Sequence, residues 1–266
     1  MGLWDTVKQH ASAQFLDVIE WLDDSRNTLV YRFPIFNQAI QDGAKLVVRE
    51  GQAAVFVSEG RASEAFGPGT YDLSTRTRAI WSFFESIKYQ LNYPYKGDIY
   101  FVNTRQFTDQ KWGTPQPIPV RDPEFGSIQI RAFGLYCYRI SDPVKFLREV
   151  VGTDGLFTTD EINGQLKRKV LSVFASLLKQ ASIPFDMLMG AGLELSDALK
   201  EKLSPRFQED YGITVTDFTV DGVTLPDEVQ KYYAKRQSMA MVGNLDAFAK
   251  FESANAIQDA ARNPGI

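Results

Sequence analysis

The sequence predicts an α+β fold, a mixed body with a helix at each end, from three observations. Apolar residues recur every three or four positions at the start, alternate through the middle, and return to helical spacing later. Glycines and prolines punctuate the middle at intervals suited to short strands. No proline interrupts the stretch between Pro226 and Pro264. The 266 residues are 44% hydrophobic and 23% charged, enough for a sizeable core, so neither a disordered chain nor a disulfide-stapled miniprotein fits.

Composition excludes more. A net charge of −4 argues against an electrostatic grip on nucleic acid, so no nucleic-acid partner is expected. One cysteine and one histidine allow no intrachain disulfide and no His/Cys zinc site, so no metal or cofactor is expected. No apolar run approaches the roughly 20 residues that span a bilayer as a helix. The opening MGLWDTVKQH lacks the basic start and apolar block of a secretory signal. The chain is expected to be soluble, or to attach to a membrane without crossing it.

Residues 1–24 read as an amphipathic helix. Leu3, Val7, Ala11, Phe15, Val18 and Leu22 form its stripe, with Trp4, Ile19 and Trp21 beside it. Its polar face carries Asp5, Asp17, Glu20, Asp23 and Asp24 against Lys8 alone. Anionic headgroups attract basic residues and repel acidic ones. The helix is therefore expected to pack on the body or dock on a protein through Leu3, Trp4, Val7, Ala11, Phe15, Val18, Ile19 and Leu22.

Strands follow. Leu29, Tyr31 and Phe33 alternate before Pro34, and Asp42-Gly43 marks a turn. Lys45 to Arg49, Gln52 to Ser58 and Arg61 to Phe66 read as strands, the last two joined through Glu59-Gly60. Gly67-Pro68-Gly69 ends the run. Asp98 to Phe107 is another strand. Four prolines between Thr108 and Glu124 suggest a long surface loop. Ser127 to Ile140 is the clearest strand: Ile128, Ile130, Ala132, Tyr136, Tyr138 and Ile140 share one face. Phe133, Leu135 and Cys137 on the other face suggest cover on both sides.

Helices close the chain. Thr158-x-x-Glu161 fits a capping box ahead of Ile162, Leu166, Val170, Val173 and Leu177. A second helix starts near Ser196 and ends before Gly212, with Pro205 expected to split or kink it. Ile213 to Val223 returns to strand, with a bulge between Val215 and Phe218. Pro226 opens a helix through Arg262, roughly 36 residues or about 54 Å long. A helix that long suits assembly. Val229, Tyr233, Ala240, Ala247, Phe251 and Ala254 are its candidate self-association residues. Residues 263–266 read as the start of a tail.

Candidate catalytic groups have simpler explanations. His10 reads as a surface residue and Cys137 as a small buried hydrophobe. Gly67-Pro68-Gly69-Thr70 lacks the Gly-Lys-Ser/Thr ending of a phosphate loop. Asp122 with Glu124, and Asp160 with Glu161, are the carboxylate pairs a hydrolase could use, but a loop and a helix first turn account for them. Lys167, Arg168 and Lys169 read as a solvated face.

Several strings in order carry a resemblance. Gly51-Gln52-Ala53-Ala54-Val55-Phe56, Phe66-Gly67-Pro68-Gly69-Thr70-Tyr71, Tyr138-Arg139-Ile140 with Asp142-Pro143 and Phe146, and Leu225-Pro226 resemble the SPFH superfamily of stomatin, prohibitin and flotillin, also called band seven. Trp21-Leu22-Asp23-Asp24, Tyr31-Arg32-Phe33-Pro34, Gly43-Ala44-Lys45-Leu46, Thr104-Arg105-Gln106-Phe107-Thr108 and Lys111-Trp112-Gly113-Thr114 resemble its bacterial virion-core-protein-like branch. The resemblance implies an SPFH domain over residues 28–225, helical extensions at 1–24 and 226–262, and an end ahead of the branch's Gly-rich linker and zinc ribbon. It further implies a non-catalytic homo-oligomeric scaffold on the cytoplasmic side, recruited to membrane-associated proteins at the inner face of the cell membrane, with peripheral lipid contact. An adaptor for a membrane-stress or membrane-remodelling protein, working as a small oligomer, is the alternative. A carboxylate-based hydrolase is the more distant one.

Overall fold

A computed structural model describes residues 18–23, 25–35, 39–40, 43–58, 60–73, 95–123, 126–181 and 192–242, with helical pairs at 249–250, 253–254 and 257–258. The first strands are β1 (Val18–Glu20), β2 (Thr28–Arg32), β3 (Ala39–Ile40), β4 (Ala44–Val48) and β5 (Gln52–Ser58). Next come β6 (Arg61–Phe66), β7 (Gly69–Leu73), β8 (Tyr95–Lys96), β9 (Asp98–Asn103) and β10 (Phe107–Gly113). The last are β11 (Ile118–Asp122), β12 (Gly126–Ile140), β13 (Leu156–Thr158), β14 (Ile213–Phe218) and β15 (Gly222–Thr224). The helices are α1 (Pro143–Phe146), α2 (Thr159–Ala181), α3 (Gly192–Tyr211) and α4 (Asp227–Val242), with a π-helical turn at Leu147–Val151.

A five-stranded sheet in the order β13-β2-β9-β5-β6 lies at the centre. Its strands β5 and β9 are apolar on both faces, and both faces are covered. Val55, Tyr100 and Val102 enter the larger core, which also holds β12, α2 and α3. Ala54, Phe56, Ile99 and Phe101 enter a smaller core with Trp21, Leu46 and Leu73. Two-sided burial thus falls on β5 and β9 rather than on β12, where it was expected. Strand β12 alternates along its length, with Phe133 on its outer face 51% exposed.

The N-terminal expectation is corrected at its end. Val18–Glu20 is not helical but a strand parallel to β4, with Val18 opposite Lys45 and Glu20 opposite Val47. Ile19 and Trp21 point inward while Val18 and Leu22 are exposed, a period of two. Residues 1–17, including Leu3, Trp4, Val7, Ala11 and Phe15, lie outside the described residues.

The proline-marked stretch is also corrected: residues 108–124 are not a loop throughout. Strand β10 pairs with Phe133–Tyr138 of β12, and β11 pairs with Gly126–Ile130. Among the described residues β11 pairs only with β12, and such an edge position tolerates the missing N–H of Pro119. Between the two strands, the Thr114 N–H donates to Ala132 O (2.9 Å) and keeps the register.

Strand β14 pairs with the opposite edge of β12, since Tyr136 and Tyr138 have partners in both β10 and β14. The expected bulge is present: Val215 faces Tyr138 and Asp217 faces Cys137, leaving Thr216 over. The ladder then breaks before β15, where one continuous strand was expected. At that break the indole N–H of Trp112 reaches across β12 and donates to Thr219 O (3.0 Å). It crosses at Gly134. A Cβ there would lie 2.0 Å from Thr219 O and 3.0 Å from the indole nitrogen.

The helices cover the inner face of this sheet. The Thr158 N–H and hydroxyl both donate to Glu161 Oε2 (2.6 and 2.8 Å), fixing the start of α2. Phe174 of α2 packs on Trp112, which stacks on Phe218. Helix α3 begins four residues earlier than expected and runs through Pro205 without dividing. Pro205 is on its exposed face, while Leu199, Leu203 and Phe207 are buried. Gly212, at φ 69°, ends α3, and the Ser141 and Asp142 amides both donate to its carbonyl (2.9 and 3.0 Å). Helix α4 is described as far as Val242; its continuity to Arg262 lies outside the described residues.

Two predictions follow from the larger core. Gly134→Ala should cost at least about 2 kcal/mol, because backbone rather than a flexible side chain must move. Thermal unfolding should show a Tm lower by roughly 5–8 °C, whereas Gly126→Ala, with open space around it but φ 74°, should cost less. The hydroxyls of Tyr136 and Tyr138 are buried without a partner among the described residues. Burial pushes both phenols well above their ordinary range, and Tyr136 adds to the rise at Tyr138. In the unfolded chain they ionise near pH 10. Above that pH the unfolded state binds fewer protons than the folded state, so stability should fall as pH rises. Urea titrations of Tyr136→Phe/Tyr138→Phe between pH 9 and 11.5 should show a shallower fall, by up to about 1.4 kcal/mol per pH unit for each tyrosine. An unchanged slope would contradict the burial effect.

Candidate functional site

The segment after β1 is clasped onto the central sheet by polar groups from three strings far apart in sequence. The side-chain amide of Gln52, at the start of β5, donates to Trp21 O (3.2 Å). That of Asn103, at the end of β9, donates to Asp23 Oδ2 (2.6 Å) and Thr28 O (2.9 Å). The Ser25 N–H and hydroxyl donate to Asp23 Oδ1 (3.0 and 2.7 Å). Arg105 donates to Ser25 O (2.9 Å), lies 3.6 Å from Asp23, and places its guanidinium over the Phe107 ring at 5.0 Å. Gly51, at φ 77°, turns its carbonyl to accept from the Thr104 and Arg105 amides.

A cleft of about 420 Å³ opens beside this clasp, lined by Leu22, Arg49, Glu50 and Gly51 together with the clasp residues. Arg49 pairs with Glu20 at 2.8 Å across its rim. Both oxygens of Asp23 are occupied by donors. The arrangement holds the stretch between β1 and β2 onto the central sheet.

The residues expected to dock divide accordingly. Val18 (43% exposed) and Leu22 (65%) are on the surface at the clasp. Ile19 is buried in the smaller core and is not available to a partner. Of the self-association set, Val229 packs partly buried against the larger core. Tyr233 and Ala240 lie within α4, Ala254 is exposed and helical, and Ala247 and Phe251 fall outside the described residues. Sequence reasoning missed Tyr232 and Ile257, exposed at 64% and 71%. Both lie off the alanine positions of that stretch.

The groups considered for chemistry are engaged locally. Glu161 caps α2 through Thr158. Asp122 is buried, and Glu124 and His10 lie outside the described residues. Cys137 is half-buried and faces Asp217 across the ladder. Lys169 is not simply solvated: it pairs with Asp210 of α3. Among the described residues no group of three His, Cys, Asp or Glu side chains is placed to hold a metal ion. No described helix is long and apolar enough to cross a membrane.

Comparison with known proteins adds the family. The profile described as "SPFH domain-Band 7 family" matches residues 30–241. A Bacillus subtilis (strain 168) protein bearing the name "Uncharacterized protein YdjI" is 27% identical over 242 residues, 88% of this chain and 72% of that relative.

The clasp generates a test. Asn103→Ala removes both donors from Asp23 and Thr28 and should cost about 1–3 kcal/mol. Hydrogen exchange should quicken first at residues 18–30. Arg49→Ala, which breaks only an exposed pair, should cost no more than about 1 kcal/mol. Equal effects of the two changes would remove Asn103 from its role.

Proposed function

The chain belongs to the SPFH domain-Band 7 family, and from that premise we propose that it is a non-catalytic oligomeric scaffold recruited to membrane-associated protein complexes on the cytoplasmic side. The observation that carries the reading is helix α4. It leaves the body after Leu225-Pro226, touches the larger core through Val229, and then presents Tyr232 to solvent. Beyond it the described residues include helical pairs at 249–250, 253–254 and 257–258, and Ile257 is exposed. A helix that extends beyond the core it starts from finds cover for its apolar groups in another polypeptide.

The N-terminal end supports the recruitment half of the proposal. Asp23 and Asn103 hold the chain that follows a segment whose sequence is amphipathic and acid-faced, and Leu22 is exposed there. Acidic residues make anionic lipid a poor direct partner for that segment. A protein groove suits it better. Trp4 and Phe15 are then the anchors, and family resemblance supplies the membrane context.

Mass measurement by light scattering tests the assembly half. The 266-residue chain should exceed the mass of a single copy several-fold, and the same chain ending at Leu225 should lose most of that excess. Equal masses would sink the role given to α4. A stoichiometric complex between a small oligomer and one membrane-stress protein would favour the adaptor reading instead.

A further inference from the structure

We propose that residues 18–23 form an exchangeable strap: within an assembly, the strap of one copy occupies the seat of a second copy, and the exchange is mutual. This deepens the assembly reading above and rests on it, since exchange needs copies held close together.

The strap is held by other elements more than by its own ladder. Strand β1 has three residues and, among the described residues, one neighbour, β4. Ile19 and Trp21 sit in the smaller core with Leu46, and Trp21 stacks on Tyr31 at 5.5 Å and lies 6.2 Å from Phe101. Gln52, Asn103 and Arg49 donate to Trp21 O, Asp23 and Glu20. Each of these partners lies beyond the link formed by residues 25–27. A strap from a second copy meets the same partners in the same geometry, so exchange keeps these contacts. The cost falls on the link, where the Thr28 N–H donates to Ser25 Oγ (3.1 Å) in the closed chain.

The gain falls on the corner around that link. In the closed chain this corner holds the open cleft, the exposed Leu22, and two buried polar atoms without partners, Gln52 Oε1 and Arg105 Nε. Buried polar groups are nearly always bonded, so these two mark a place where a further contact is favourable. Asn103 bonds both Asp23 and Thr28 in the closed chain. Five residue steps from Asp23 to Thr28 span at most about 17 Å, which in an exchanged pair brings the two Asn103 side chains within roughly 25 Å. The two corners then face each other about a two-fold axis, cleft on cleft, and each Leu22 gains cover. Among the described residues there, Arg26, Arg49 and Arg105 balance Glu20, Asp23 and Glu50, so like corners meet without net repulsion. A foreign strand is the poorer occupant, because the seat fits Ile19, Trp21 and Asp23, which every copy carries.

Disulfide trapping in the full chain tests this. Val18 and Lys45 stand opposite each other in the parallel β1–β4 register and both are exposed, so cysteines there can bond without disturbing either core. The double variant Val18→Cys/Lys45→Cys, oxidised as purified, should run as linked dimers rather than as single chains bonded internally. Val18→Cys and Lys45→Cys, mixed and oxidised, should give linked dimer several-fold above either variant alone. Fragment masses should map the bond to positions 18 and 45 and separate it from any bond through Cys137. A double variant recovered only as internally bonded single chains, with no bond between positions 18 and 45 in the mixture, would overturn the inference. If wild type still sediments as a large assembly in that case, the scaffold reading stands; if it sediments as a single copy, both fall. Position 45 bonded to a different polypeptide in chain taken from cells would give the seat to a foreign strand and refute the proposal.

Discussion

The central constraint is that β5 and β9 are apolar on both faces. A strand of that kind forces two layers, because either face left to water would expose a continuous hydrophobic surface. On one side the cover is β12 with α2 and α3. On the other it is β4, β7, Trp21 and Ile19. The second layer is small and its first strand has only three residues. Such a strand holds its place poorly through its own ladder. The Asp23, Asn103 and Arg105 clasp follows from that need, because it ties the segment to β9 directly.

The β12 sheet obeys the opposite rule. Its inner face carries Ile128, Ile130, Tyr136, Tyr138 and Ile140, and its outer face carries charge. With the described helices on one side only, alternation is the stable pattern. Gly134 is the exception on the inner face. It is a gap in the apolar row that the Trp112 indole crosses to reach Thr219, so that β10 and the β14–β15 break are joined over the strand between them. Two strand edges are thereby held by a bond that no local pairing supplies.

Much of this was legible in the sequence where the determinants are local. Strands β5 and β6 were placed at their bounds, because Glu59-Gly60 separates two short apolar runs. The start of α2 followed from Thr158 and Glu161, and the β14 bulge from a parity change between Val215 and Phe218. Errors arose where a distant partner decides. Val18 to Leu22 fits a helical stripe as well as an alternating strand over so few residues, and β4 settles the matter by pairing with it. Prolines hid β10 and β11, because an edge strand tolerates Pro119 in a way its own residues do not announce. The clasp was invisible for a plainer reason. Asp23 and Asn103 are 80 residues apart, and nothing in either string specifies the other. Only the family resemblance had marked their neighbourhoods, through Trp21-Leu22-Asp23-Asp24 and Thr104-Arg105-Gln106-Phe107-Thr108.

The body closes both of its cores with its own elements, so its stability does not require the surfaces that remain. Leu22 at the clasp, Tyr232 on α4, Phe133 on β12 and Leu156 on β13 are exposed without any role in those cores. Single exposed apolar residues are ordinary on a soluble protein. What distinguishes these is their setting: one stands beside the clasp, one on the helix after Leu225-Pro226, one on the outer face of β12 and one on the edge strand β13. A chain that keeps its apolar remainder at such places can gain buried area by association without reorganising its interior. The assembly proposed above would add contacts to a finished fold rather than complete an unfinished one.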